Sequence, residues 1–210
     1  IPSGVQVDLF KMIPIAAGLA GGSSDAAATI IGMNRLFRLN LNRETMLSIG
    51  EQFGSDIAFC MIQGTALATG LGEKITLLDD FPMMKVLLAK PNFGVSTADV
   101  YKNFDLQKQM HHPDTQGLMD AIKRQDQDFI CSHLANVLEE VTIHMKPSIQ
   151  RIKNEMKELG ADGVLMSGSG PTVYGLFQDE TIAKKACKQM KNNKELQFVY
   201  LTEIYNRRKG

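Results

Sequence analysis

The stretch from Ile13 to Ala28 constrains the fold most, because a cluster of glycines runs directly into a helical pattern. Gly18, Gly21 and Gly22 allow backbone conformations that a Cβ excludes, and they let a ligand lie close to the peptide groups. The Ser-Ser-Asp run that follows consists of residue types that cap helices. Behind it, apolar residues recur at helical spacing (Ile30, Ile31, Met33, Leu36 and Phe37). The sequence therefore predicts a tight turn followed by a helix that begins near Ser24.

A glycine-rich loop that leads into a helix is typical of phosphate binding. Such a loop offers unpaired N–H groups at the positive end of the helix dipole. Two better-known phosphate loops are excluded by spacing, since no P-loop lysine follows Gly22 or Gly170 and neither stretch has the Gly-x-Gly-x-x-Gly pattern. Composition alone explains the stretch equally well as a solvent-exposed loop with an ordinary helix cap.

Composition and charge restrict the class of protein. A chain of 210 residues with 44% hydrophobic residues can bury a core, and 23 basic against 23 acidic residues give no net field that attracts nucleic acid or an anionic membrane. The cysteines Cys60, Cys131 and Cys187 are odd in number and far apart, without metal-site spacing. We therefore expect a globular protein of the reducing cytoplasm, with neither a membrane nor a nucleic acid as its partner.

The first 80 residues predict a half-buried strand, three helices and a hairpin. Val5 to Met12 alternates apolar and polar residues, which is typical of a strand. Asn42 is expected to cap a second helix that carries Met46, Leu47, Ile49 and Phe53 and stops at Gly54. Ser55 is expected to cap a third helix. Two β-prone runs between Gly64 and Leu78 flank Gly70-Leu71-Gly72-Glu73 as a hairpin.

The run Asp79-Asp80-Phe81-Pro82 is the expected junction between a domain of residues 1–80 and one of residues 81–210. The second part predicts strands at 86–89, 163–166, 172–177 and 198–204. Helices are expected to begin near Thr115 and near Asp126, the latter extending to Leu138, with a third over 147–160 and a fourth before the last strand. This succession predicts an α+β, ferredoxin-like split βαβ layer.

Asp56 is the acidic residue whose position best suits a chemical role. It falls in the first turn of the predicted third helix, where the positive helix end favours an ionised carboxylate. From its position alone, Asp56 is better explained as a capping or first-turn acid that only stabilises its helix.

Three motifs in order resemble a known enzyme superfamily. Pro14 to Ala27 is similar to the second motif of the galactokinase, homoserine kinase, mevalonate kinase and phosphomevalonate kinase (GHMP) superfamily. Gly54-Ser55-Asp56-Ile57-Ala58-Phe59 with Gly64, and Met166 to Val173, resemble the branch that phosphorylates a cytidyl diphosphate-linked methylerythritol on the non-mevalonate route to isoprenoids. The resemblance implies a two-domain GHMP kinase fold, with a partial ribosomal-protein-S5-like N-terminal domain and a ferredoxin-like C-terminal domain.

The resemblance also implies the site. It assigns Asp56 as the catalytic base, Thr97 as a substrate-binding residue and Ser24 as a contact of Mg²⁺, with ATP and Mg²⁺ as cofactors. A helix cap remains an equal interpretation of the loop at Thr97. The reaction that the resemblance implies is phosphorylation of the 2-hydroxyl of the cytidyl diphosphate-linked methylerythritol. The protein is expected to be a monomer or homodimer. The ATP-binding residues are Pro14, Ile15, Ala16, Ala17, Gly18, Leu19, Ala20, Gly21, Gly22, Ser23 and Ser24.

Some features depart from the superfamily pattern. Ala16, Ala17 and Ala20 stand where relatives often have glycine, and Asp25, where many have asparagine, would repel phosphates unless it points away or serves the metal. The superfamily's first motif, with a lysine and an asparagine, has no counterpart in these 210 residues, so we expect a truncated form that is inactive alone. Another GHMP kinase, a catalytically silent nucleotide- or sugar-binding relative, and an α+β protein with purely structural turns remain alternatives.

Overall fold

A computed structural model describes residues 4–70, 72, 74–104 and 113–206. Its internal contacts divide the chain into two compact units, one of Ile1–Ile15 with Ala20–Leu78 and one of Ala16–Leu19 with Asp79–Gly210. Four residues of the glycine-rich loop thus pack within the second unit, whereas the residues on both sides of them pack within the first. The domain boundary after residue 80 stays a prediction.

The first unit consists of three helices and a hairpin. Its helices are α1 (Gly21–Leu36), α2 (Arg43–Glu51) and α3 (Ser55–Ile62), and its strands are β1 (Ala66–Thr69) and β2 (Lys74–Leu77). The strands pair antiparallel from Ala66 opposite Leu77 to Thr69 opposite Lys74, as predicted. Leu71 and Glu73, at the tip of the predicted hairpin, lie outside the described residues.

Helix α3 is the most buried helix of the first unit. Ile57, Ala58 and Ile62 are buried on it, as is Ala27 on α1. On α2, a Cβ at Gly50 would lie 2.9 Å from the Ile57 side chain, so the absence of a side chain lets α2 and α3 approach. Asn42 caps α2 as predicted, since its Oδ1 accepts a hydrogen bond of 2.9 Å from the Thr45 N–H.

Four expectations for the first unit are wrong. Ser55 does not cap the third helix, because α3 begins at Ser55 itself with Gly54 in the N-cap position. The segment Val5 to Met12 belongs to neither sheet of the described chain, and its Phe10 and Met12 side chains are 87% and 84% exposed. Alternation makes a strand only where a neighbouring strand supplies hydrogen bonds. Helix α1 begins at Gly21 rather than near Ser24, because Ala20 takes the N-cap position in a left-handed conformation. Helix α2 ends before Phe53, which is exposed.

The second unit is an antiparallel sheet with helices, in the ferredoxin-like α+β arrangement that was predicted. The sheet order is β4-β5-β3-β6, and every neighbouring pair is antiparallel. Its elements are β3 (Lys85–Pro91), α4 (Thr97–Lys102), α5 (Thr115–Arg124), α6 (Gln127–Ser132), α7 (Val137–Met145), α8 (Ser148–Glu158), β4 (Gly163–Met166), β5 (Val173–Phe177), α9 (Glu180–Met190) and β6 (Leu196–Glu203).

Helices α8 and α9 supply the apolar layer that covers this sheet. The main cluster of buried residues includes Ile152 and Met156 of α8, Met190 of α9 and, from the sheet, Leu87 and Phe177. Complete burial of one such side chain contributes about 1.5 to 3 kcal/mol. This core supports the central strands β3 and β5, and thereby the loop that joins β4 to β5.

The helix expected from Asp126 to Leu138 is two helices, which corrects the prediction. Helix α6 ends at Ser132, and α7 begins at Val137 after a new N-cap, Asn136. The Asn136 Oδ1 accepts a hydrogen bond of 3.0 Å from the Leu138 N–H. The apolar spacing continues across the break, and for that reason periodicity did not detect it.

Candidate active site

The start of helix α1 presents an uncapped N-terminus. Ala20 holds the N-cap position with φ 48° and ψ 27°, and among the described residues no side chain donates or accepts a capping hydrogen bond there. The first intrahelical bond joins the Ser24 N–H to the Ala20 carbonyl at 2.9 Å. A Cβ at Gly22 would meet no described atom within 4 Å. The first turn is therefore open at Gly22 and has no side-chain cap among the described residues, which suits an anion.

Two alanines of the glycine-rich loop adopt conformations that glycine prefers. Ala16 and Ala20 have φ values of 51° and 48°. A Cβ in the left-handed region costs about 1 to 2 kcal/mol per residue. Alanine at these two positions therefore carries backbone strain, and strain of this kind is frequent at functional sites.

Lys11 and Asp25 form an ion pair beside this helix start. The Lys11 Nζ contacts the Asp25 Oδ2, and both side chains are about two-thirds buried. Lys11 Nζ also lies 3.6 Å from the position that a Cβ of Gly21 would occupy. The ammonium group offsets the negative charge that was expected to repel phosphates. Sequence analysis missed Lys11, although a lysine three residues before Pro14 was a visible signal.

Asp56 lies in the first turn of α3, as predicted. Its side chain is exposed, and within the described ranges it forms no hydrogen bond or ion pair. One turn later, burial raises the pKa of the Cys60 thiol, and the negative charge of Asp56 raises it further. A Cβ at Gly72 would lie 3.1 Å from the Ser55 Cβ, so the hairpin adjoins the start of α3. The Asp56 carboxylate is thus available to a ligand.

In the second unit, the loop between β4 and β5 (residues 167–172, the β4–β5 loop) contacts residues 16–19. The Ser167 Oγ donates a hydrogen bond of 2.7 Å to the Gly18 carbonyl, and the Thr172 N–H donates one of 3.4 Å to the Ala17 carbonyl. A Cβ at Gly18 would lie 2.4 Å from the Ser167 carbonyl oxygen. The third sequence motif therefore packs directly on the backbone of the second.

Thr97 also joins this part of the second unit. Its Oγ1 lies 2.8 Å from the Oγ of Ser169, a buried residue of the β4–β5 loop. The helix cap of α4 is Ser96, whose Oγ accepts a hydrogen bond from the Asp99 N–H. Thr97 is thus the first residue of the helix rather than its cap, and its contact with a substrate stays a prediction.

The described residues contain no group of three or more His, Cys, Asp and Glu side chains that could hold a metal ion. None of the described helices has the length and apolar character needed to cross a membrane. The three cysteines are free thiols. Burial, followed by the charges of Asp162 and Asp128, raises the pKa of Cys131 to about 11, so this thiol is not poised as a nucleophile.

Family models match both parts of the chain. Residues 2–64 match the GHMP kinases N terminal domain, and residues 107–196 match the GHMP kinases C terminal domain. A crystal structure of 4-(cytidine 5'-diphospho)-2C-methyl-D-erythritol kinase superposes with a TM-score of 0.78 at 26% identity, over 92% of this chain and 68% of that one. A homoserine kinase from Cytophaga hutchinsonii, at 20% identity and a TM-score of 0.76, shares the fold over 92% of this chain and 68% of its own.

Two curated relatives bear the same name. The 4-diphosphocytidyl-2-C-methyl-D-erythritol kinase of Bacillus subtilis is 55% identical over 181 residues, which are 86% of this chain and 62% of the relative. That of Lachnospira eligens is 48% identical over 206 residues, which are 98% of this chain and 71% of the relative. The chain thus spans under two thirds of the Bacillus protein. With motifs, fold and relatives in agreement, the chain belongs to the 4-diphosphocytidyl-2-C-methyl-D-erythritol kinase family of the GHMP kinases.

Proposed function

We propose that the protein containing this chain transfers the γ-phosphoryl group of ATP to the 2-hydroxyl of 4-diphosphocytidyl-2-C-methyl-D-erythritol. The name of the relatives at 48% and 55% identity supports the substrate. The observation that carries the proposal is the uncapped N-terminus of α1 after the glycine-rich loop, which offers N–H groups to phosphate oxygens. These two features together favour a kinase over a purely structural loop.

The residues from Pro14 to Ser24 would hold the triphosphate of ATP through their backbone. Open space at Gly22 leaves room for phosphate oxygens beside the first turn of α1. The Lys11 ammonium group, close to Gly21, would add a positive charge, and Asp25 would orient it. Binding at preorganised N–H groups favours the charge that develops on the transferred phosphoryl group.

Ser24 fits a limited role toward Mg²⁺. Its side chain is exposed in the first turn of α1. Because Mg²⁺ retains several waters and is often bound through one or two protein oxygens plus phosphates, a single hydroxyl contact is compatible with the residues present. When bound, the ion neutralises charge on the phosphates.

Asp56 would orient the acceptor hydroxyl and accept its proton. The new bond joins the acceptor oxygen to the γ-phosphorus, and the bond from that phosphorus to the β–γ bridging oxygen breaks as ADP leaves. The proton of the acceptor passes to the Asp56 carboxylate, which has no hydrogen-bond or ion-pair partner among the described residues. Thr97 would contact the acceptor, with Ser169 fixing its hydroxyl.

The test is phosphorus NMR on the complete protein that contains this chain, with Mg-ATP and the cytidyl substrate, comparing wild type with Asp56→Asn. We expect a new phosphomonoester signal from the wild type. In the variant, product formation should be about 10²- to 10⁴-fold slower, which is the usual contribution of a general base. Glu44→Gln is the matched control, because Glu44 is also an exposed first-turn acid, on α2 of the same unit. Both changes remove a similar helix-end interaction of about 0.3 to 1 kcal/mol.

The outcomes separate the alternatives. A wild type that phosphorylates homoserine or mevalonate but ignores the cytidyl compound would indicate a related kinase. ATP binding without turnover of any of these would indicate a silent relative. Equal rates for Asp56→Asn and Glu44→Gln would remove Asp56 from the mechanism.

We also propose that the protein works in the cytoplasm, without a nucleic acid or membrane partner, as a monomer or homodimer. Free cysteines and a net charge of zero support this proposal. Sedimentation equilibrium would give the oligomeric state. A mass above that of a dimer would contradict it.

A further inference from the structure

Helix α7 holds the β4–β5 loop through three polar side chains at helical spacing. Asn136, Glu139 and Thr142 follow one another at intervals of three residues, from the N-cap onward. Each forms a hydrogen bond to the backbone between Met166 and Ser169. One side of α7 therefore faces the third motif with hydrogen-bonding groups.

Asn136 has two functions that can be separated. Its Oδ1 caps α7, whereas its Nδ2 donates hydrogen bonds of 2.8 Å to the carbonyls of both Met166 and Gly168. These two carbonyls lie on either side of Ser167. The amide group thus fixes the backbone on both sides of the residue whose hydroxyl binds Gly18.

Glu139 fixes the same segment from the next turn of α7. Its Oε1 accepts a hydrogen bond of 2.8 Å from the Met166 N–H, and its Oε2 pairs with Lys153 of α8. Both side chains of this pair are largely buried, at 14% and 11% exposure. A buried carboxylate with two fixed donors keeps a single orientation, so it holds the Met166 N–H in place.

We infer that Asn136 and Glu139 are positioning residues for nucleotide binding, acting through the β4–β5 loop on residues 16–19 of the glycine-rich loop. The inference rests on the proposed function of that loop as the phosphate site. The chain of contacts runs from Asn136 to Gly168, from the adjacent Ser167 to Gly18, and from Thr172 to Ala17. Both side chains would act through the backbone of this loop rather than on the nucleotide directly.

A polar cavity adjoins this network. It has a volume of about 340 Å³, and its lining includes Asn136, Glu139 and Lys153. Water can enter a polar cavity of this size and bind to a group that has lost its partner. Loss of one side chain is therefore expected to loosen the loop without unfolding the unit.

Asn136→Asp isolates the positioning function. Aspartate caps helices as well as asparagine does, so the bond to the Leu138 N–H is retained. The two donors to Met166 and Gly168 are replaced by an acceptor that repels those carbonyls. We expect the KM for ATP to rise about 10-fold while kcat falls by less than about 3-fold, since uniform binding of the phosphates is weakened.

Amide hydrogen exchange provides a readout that needs no turnover. We expect the Thr172 N–H, which binds the Ala17 carbonyl, to exchange about 10-fold faster in Asn136→Asp than in wild type. Glu139→Ala should produce the same pair of changes. Glu139→Gln, whose single amide oxygen can accept from the Met166 N–H or from Lys153 but not from both, should recover only part of the loss.

The control is Asp179→Ala. Asp179 caps α9 of the same unit through two backbone N–H groups, at 2.6 and 3.0 Å, and none of its hydrogen bonds within the described residues reaches the β4–β5 loop. This variant should lower the melting temperature and leave both the KM for ATP and the Thr172 exchange rate unchanged. If Asn136→Asp behaves like Asp179→Ala, the inference is wrong.

Failure of the proposed function would look different. A wild type that forms no product would contradict the proposed reaction, and the exchange rates with and without Mg-ATP would still decide the inference. Unchanged exchange and unchanged ATP affinity in Asn136→Asp, in a protein that turns over its substrate, would overturn the positioning role alone.

Discussion

Gly18→Ala should test whether the glycine-rich loop depends on the close packing of Gly18 against the β4–β5 loop. Gly18 has φ 71°, and a Cβ there would lie 2.4 Å from the Ser167 oxygen and 2.9 Å from the Gly170 oxygen. Both are backbone atoms of the β4–β5 loop, so no side chain can rotate away. Left-handed strain and overpacking, less the reduced entropy of the unfolded chain, cost about 2 to 4 kcal/mol.

Gly32→Ala is the matched control for this change. Gly32 is an exposed residue inside α1, and a Cβ there would meet no described atom within 4 Å. Alanine in a helix interior is more favourable than glycine by about 1 kcal/mol, so this variant should be stabilised. The same chemical substitution is thus expected to have opposite signs at two positions.

Urea denaturation followed by circular dichroism measures both effects, and titration with Mg-ATP measures the consequence for the site. We expect Gly18→Ala to lower the midpoint and weaken ATP binding at least 10-fold, because residues 16–19 must move. Gly32→Ala should raise the midpoint and bind ATP as the wild type does. A Gly18→Ala protein with wild-type stability and ATP affinity would refute the packing of Gly18 on Ser167.

Two further predictions concern strain and titration. Ala20→Gly should stabilise the protein by about 0.5 to 1 kcal/mol, because Ala20 has φ 48°, a backbone conformation that favours glycine. Ala28→Gly, inside α1, should destabilise the protein by about 1 kcal/mol. A urea midpoint that falls in both variants would contradict this prediction. The pKa of Cys131 is raised to about 11 from 9.0, so its contribution to stability is complete below pH 9 and is lost as the pH rises to 11. Stability should fall by about 1 to 3 kcal/mol over that range in wild type and by less in Cys131→Ser, and alkylation of Cys131 at pH 8 should be about 100-fold slower than that of an ordinary thiol.

Local signals predicted the second unit well because its elements are delimited by residues with clear roles. Strand β4 begins at Gly163 and ends just before the next glycine-rich stretch, and α5 begins at Thr115 after the side-chain cap Asp114. The strand predicted at Val5 to Met12 was wrong because an alternating segment becomes a strand only when a neighbouring strand pairs with it, which the sequence of the segment alone does not show. Periodicity also passed over the break before Asn136, since the apolar spacing continues across it.

The position of a candidate site residue was predictable where its motif lies on one helix or loop, and not where the position depends on contacts between residues far apart in sequence. Asp56 follows from a helix start that sequence can recognise. The start of α1 was misplaced because its N-cap is Ala20, whose left-handed backbone replaces a capping side chain. No local pattern indicates that Asn136 bonds to Met166 and Gly168, 30 and 32 residues away. An asparagine before a helical run was a signal for a cap alone.

The bond between Ser167 and Gly18 spans 149 residues of sequence, and this separation has a consequence for biosynthesis. Residues 16–19 leave the ribosome long before the β4–β5 loop that fixes their backbone. At about 5 to 20 residues per second, the ribosome needs about 7 to 30 s to synthesise the intervening chain. During that interval a nascent chain carries residues 16–19 without their support, so any nucleotide binding that depends on this support begins only after the β4–β5 loop has been synthesised.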